Sequence, residues 1–105
     1  MAIYNAQLGL TATNLLTVPA STTSAVLSII FCNTTASART VTAYAYPSGG
    51  TAGDSTTIAK TVSIPAYDTW IWTGLEKMIL DAGGVVSALS DSAASVTATI
   101  NYYNI

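Results

Sequence analysis

The sequence predicts an all-β fold: a single antiparallel β-sandwich of seven or eight short strands, wired as a jelly roll or in the immunoglobulin manner. Three observations predict it. Apolar and polar residues alternate with a period of two along most of the chain. Turn signals built from Gly, Pro, Asn and Asp interrupt that alternation at intervals of about 8–12 residues, the spacing of sandwiches and jelly rolls. The chain of 105 residues is also long enough for one core and too short for two.

Residues 1–13 read as an N-terminal arm or first strand, and residues 14–105 as the sandwich domain. A strand is expected over Asn14 to Val18, stopped by Pro19-Ala20-Ser21. In Ala25 to Phe31 the odd positions Ala25, Leu27, Ile29 and Phe31 form one apolar face. Asn33 to Ser37 is polar and of hairpin-loop length. Arg39 to Tyr46 alternates cleanly, with Val41, Ala43 and Ala45 inward and Tyr44 and Tyr46 outward. Pro47 to Asp54 is a Gly-rich connection. In Thr57 to Ile64, Ile58, Val62 and Ile64 point inward, and Lys60 falls on the same face, which predicts an edge strand with its ammonium reaching water.

Pro65 to Asp68 makes a corner before Thr69-Trp70-Ile71-Trp72-Thr73 resumes as a strand. Only Gly74 to Leu80 hints at a helix, and Gly74 to Met78 is too short to stand alone. Met78 to Leu80, Val85 to Leu89 and Val96 to Tyr102 complete the set, the last placing Val96, Ala98, Ile100 and Tyr102 on one face.

Composition narrows the function. Charged residues make up 8% of the chain, with 3 Lys+Arg, 5 Asp+Glu and no His, against roughly 25% charged in an average soluble protein. Clustered cations for nucleic-acid phosphates are missing. No apolar run approaches the roughly 20 residues of a spanning helix. The start lacks a basic segment followed by an apolar one, which predicts cytoplasmic synthesis.

The chain holds no His for a nucleophile–base pair and one Cys, Cys32, expected as a buried and inert thiol. Asp54, Asp68, Asp81 and Asp91 are scattered through turns without metal-ligand spacing, so turn hydrogen bonds explain them better than Ca²⁺. Asp68 with Glu76 is the one carboxylate pair to consider for glycoside hydrolysis, and it is a weak one. The expectation is a non-enzyme without cofactor or metal, binding neither nucleic acid nor membrane.

The aromatic residues carry the ambiguity. Trp70 and Trp72 share one strand face: as core plugs they leave Ile71 outward, and as an exposed platform they would stack a sugar or anchor a partner, with Asp68, Thr69 and Thr73 beside them. Tyr44 and Tyr46 share a face with Thr40 and Thr42, which favours exposure. Together with Ile3 and Tyr4 of the arm, these are the candidate interface residues. A Ser/Thr-covered surface, with 17 Thr and 11 Ser, suits a protein packed against neighbours. It predicts self-association that salt weakens little.

Four stretches resemble small tailed-bacteriophage virion proteins: Thr17 to Val26, Asn33 to Thr42, Ser63 to Thr69 and Leu80 to Ala88. The similarity covers most of residues 14–90, and its motifs are turn signals. One departure is visible, since a turn that commonly reads Ala-Gly-Asp reads Ala82-Gly83-Gly84 here.

The resemblance implies a β-sandwich built into a particle, without catalytic or cofactor residues. The expected function is a capsid decoration or cement protein on the outer head, with the major capsid protein or other virion proteins as partners and the virion, assembled in the host cytoplasm, as its place. A tail, neck, baseplate or fibre module is the alternative. A carbohydrate-binding adhesion module is the alternative of another class.

Overall fold

The computed structural model describes residues 2–72 and 78–104. Among these, nine strands follow one another as β1 (Ala2–Gln7), β2 (Thr13–Thr17), β3 (Ser24–Asn33), β4 (Arg39–Tyr46), β5 (Thr57–Ile64), β6 (Thr69–Trp72), β7 (Met78–Leu80), β8 (Val85–Ser90) and β9 (Val96–Asn104). A single 3₁₀ turn at Asp54–Thr56 precedes β5. Each strand expected between residues 14 and 102 is present, and the arm supplies β1.

The strands form two antiparallel sheets. The first runs β1-β9-β3-β6, with β7 pairing β3 beside β6, and the second runs β2-β8-β4-β5. β6 and β7 occupy one edge of β3, opposite Ile29–Cys32 and Ser24–Val26 respectively. Counting them as one position gives eight strands in which first pairs last, second pairs seventh, third pairs sixth and fourth pairs fifth. That is a long hairpin folded over itself, the jelly-roll wiring. An immunoglobulin sandwich would instead pair its first two strands in one sheet.

Period-two alternation supplies the core. Val26, Ile29 and Phe31 of β3, Val41 and Ala43 of β4, Val86 and Ala88 of β8, and Val96, Ala98 and Ile100 of β9 are all buried. Each large side chain so placed contributes roughly 1.5–3 kcal/mol before ordering entropy is subtracted.

Two bulges revise the expected faces. β3 slips by one residue against β9 between Val26 and Ser28. The apolar run therefore does not keep one face: Val26, Ile29 and Phe31 point inward, whereas Ala25 stands beside Tyr103 on the outer side. β5 slips twice against β4, and Thr61 has φ 51°. Lys60 lies in that irregularity, so it does not share the inward face with Val62 and Ile64. Its side chain is exposed on an edge strand, 3.1 Å from Asp54 Oδ1. The expected thiol burial is also corrected, because Cys32 is half-buried on the outer side of β3. Of the helix hint at Gly74 to Leu80, residues 74–77 lie outside the described residues and Met78–Leu80 are strand β7.

Asn33 ties the sheets together at one end. Its buried amide shares the two hydrogens of Nδ2 among the carbonyls of Ser37, Ile64 and Pro65 at 2.8, 3.0 and 3.1 Å. Its Oδ1 accepts from Thr35 N and Oγ1 at 3.0 and 2.7 Å. One side chain of the first sheet thus holds the end of β5 in the second.

Candidate functional site

Strand register defines the outer face of the first sheet. Asn5, Thr99, Ile30 and Ile71 form one row across β1, β9, β3 and β6. Ile3, Asn101 and Ser28 form the next row, followed by Tyr103, Ala25 and Ile79. No strand of this sheet contains a charged residue.

The polar side chains on the face bond to one another. Asn5 Nδ2 donates to Thr99 Oγ1 at 2.6 Å, and Asn101 Nδ2 donates to Ser28 Oγ at 2.8 Å. With those groups paired, the protruding side chains are aliphatic: Ile3, Ile71 and Ile79 are 65%, 59% and 57% exposed. Such a surface is cheap to desolvate, since it holds no ion to strip of water and the amides of Asn5 and Asn101 already have partners, which leaves Gln7 at the end of β1 as the unpaired amide among the described residues of the face.

The candidate residues occupy three separate places. Trp70 and Trp72 face inward with Phe31. The Trp70 ring lies 5.5 Å from that of Phe31 and 5.2 Å from that of Trp72, both near parallel. They are half-buried against the core at the open side of the sandwich, with Ile71 turned out between them. Trp70 stacks on both Phe31 and Trp72, so the two indoles stack on each other along the inner side and not as a platform on the outer face.

Tyr44 and Tyr46 lie half-buried on the outer side of the second sheet, opposite Ser87 and Val85. Tyr46 also lines a cleft of about 350 Å³ with Met78, Leu80 and Asp81. Ile3 and Tyr4 are exposed on opposite sides of the edge strand β1. Of the six, Ile3 alone belongs to the uncharged outer face. Ile30, Ile79 and Tyr103 complete that face, and the one clue to them in the sequence is their parity, opposite to that of the core positions.

Of the acidic residues, Asp68 bonds within its own corner, whereas Asp91 reaches β4 and Asp54 pairs with Lys60. Asp68 Oδ1 accepts from Thr69 N at 2.8 Å, and Asp91 Oδ1 accepts from Thr40 N at 3.3 Å. No group of three or more His, Cys, Asp or Glu gathers among the described residues. Glu76, the suggested partner of Asp68, and Thr73 lie outside them. No helix among the described residues is long and apolar enough to cross a membrane.

No family model matches the chain, and no curated protein matches it. Among solved structures, a chain in the structure of infectious bursal disease virus Gx strain is similar in fold, with a TM-score of 0.48 and 12% identity. The similarity covers 98% of this chain but only 30% of that one. No residue role passes from that chain to this one.

Proposed function

We propose that the protein is a structural subunit of a virion, a decoration or cement protein that covers the outer head in many copies. It binds the shell through the outer face of the β1-β9-β3-β6 sheet and performs no chemistry of its own. The jelly roll serves capsid and lectin proteins alike, so the fold does not choose between them. The observation that carries the reading is the face itself: five strands without a charge, two cross-strand amide–hydroxyl pairs, and isoleucines protruding. The choice of particle rests on the resemblance of the chain's turn motifs to those of tailed-bacteriophage virion proteins.

A subunit of this kind acts by mass action. It binds the assembled shell and not its separated parts, so occupancy stabilises the shell. The inward turn of Trp70 and Trp72 leaves the glycan-binding alternative without its aromatic platform. Quantifying the protein in purified particles tests the proposal. A copy number comparable to that of the major capsid protein, with antibody labelling spread over the head, is expected. Labelling confined to the tail would replace the cement reading with the tail reading.

A further inference from the structure

A jelly roll has four strand edges, and three of these are blunted. β5 carries Lys60 and two register slips around Thr61 at φ 51°. β2 has five residues and slips between Asn14 and Leu16. The edge opposite β1 is divided into β6, four residues, and β7, three residues. Charges, bulges and short length are the usual devices by which a protein keeps an edge from pairing with another chain.

β1 has none of them. Its six residues pair β9 without a slip, from Ala2 opposite Tyr102 to Gln7 opposite Thr97, and contain no charge, Pro or Gly. Its other side has no strand partner among the described residues. Ile3 and Tyr4 point to opposite sides of the sheet and are nevertheless 65% and 47% exposed. Only a neighbour placed along the edge would cover both.

We infer that β1 pairs antiparallel with β1 of a second copy of this chain, joining two first sheets into one continuous sheet across a two-fold axis. The occupant follows from the strand's own chemistry. An edge with no charge offers nothing to attract an acidic or basic partner. Antiparallel self-pairing sets no like charges opposite one another. A two-fold contact also closes on itself, so an unblunted edge becomes a dimer instead of a fibre. Dimerisation further doubles the uncharged outer face, and it stands independently of the virion reading.

Sedimentation of the full chain over a concentration series up to millimolar tests this. The wild type should form dimers. Ile3→Lys should raise the dissociation constant at least about tenfold, because a charge on the edge strand opposes strand addition, while Ile71→Lys on the far edge leaves it unchanged. Circular dichroism checks that both variants fold.

A second measurement locates the axis. In an antiparallel pair the residue on the two-fold axis faces its own copy, with Cα atoms about 4.5–5.5 Å apart, within disulfide range. Single cysteines are introduced as Ile3→Cys, Tyr4→Cys, Asn5→Cys and Ala6→Cys in a Cys32→Ser background, and one of them should cross-link as a dimer under oxidation. A monomer at every concentration, a dimer lost through Ile71→Lys and kept by Ile3→Lys, or no cross-link at any of the four positions would overturn the inference. A wild-type protein that stays monomeric and still binds particles would leave the proposed function standing while this pairing fails.

Discussion

The two outer faces of the sandwich draw on similar residue types and present different surfaces. On the β1-β9-β3-β6 sheet the outward side chains are Ile, Thr, Asn, Ser and Tyr, the amides are bonded across strands, and three isoleucines protrude. The β2-β8-β4-β5 sheet has an exposed Lys60 on β5, while its tyrosines lie half-buried along the surface. Low charge alone does not make an interface. What distinguishes the first face is that it carries no charge and that Asn5 and Asn101 already bond to hydroxyls within the sheet, which lowers the cost of covering it.

The largest effect comes from breaking the link that holds the two faces in fixed relation. In Asn33→Ala, the carbonyls of Ser37, Ile64 and Pro65 lose a shared donor. Unsatisfied buried groups cost about 1–3 kcal/mol each, and relaxation toward water at the loop limits the total. A loss of about 3 kcal/mol is expected, which for a domain of this size lowers Tm by roughly 12–20 °C. Thermal unfolding followed by circular dichroism measures it. A fall of only a few degrees would mean that the sheets are held by core apolar contacts alone.

Asn33 also shows where the sequence stopped being informative. Positioned at the end of an apolar run and followed by Thr34-Thr35, it reads as the start of a hairpin loop. Its role depends on Ile64 and Pro65, about thirty residues away, and no local pattern reveals that. The strands themselves were legible, because alternation is a local property. The bulges at Leu27 and around Thr61 were not, because a slip is defined only against the partner strand. The outer face was half legible: Ile71 was readable as the outward residue between two inward tryptophans. Its neighbours across the sheet come from Asn5 and Thr99, 94 positions apart in the chain.

A matched pair of substitutions tests the contrast between the faces directly. Ile71→Lys puts a cation on the face proposed to dock, and Thr42→Lys puts one on the opposite sheet beside Leu89. Both positions are on outer sides, and because Thr42→Lys also removes the hydroxyl that accepts from Thr61 N at 3.1 Å, circular dichroism checks that both variants fold. Binding to particles lacking the protein should weaken about tenfold to a hundredfold for Ile71→Lys, equivalent to roughly 1.4–2.8 kcal/mol, and hold steady for Thr42→Lys. Equal losses from both would show that net charge, and not the face, controls binding. Loss from Thr42→Lys alone would move the docking surface to the second sheet.

The smallest effect compares two serines. Ser28, on the outer side of the first sheet, accepts a hydrogen bond from Asn101. Ser87 stands on the outer side of the second sheet between Asn14 and Tyr44, fully buried, and its hydroxyl has no partner among the described residues. Removing a satisfied hydroxyl costs stability, whereas removing an orphaned one relieves a desolvation penalty. Ser28→Ala should therefore lower stability by about 1 kcal/mol, and Ser87→Ala should raise it by up to about 1 kcal/mol. Urea unfolding with a shared m-value resolves differences of that size when both variants are measured beside the wild type. If Ser87→Ala destabilises instead, a water molecule bonds the hydroxyl beneath Tyr44. The second face would then be wet where the first is dry, and the difference between them would lie in hydration as well as in charge.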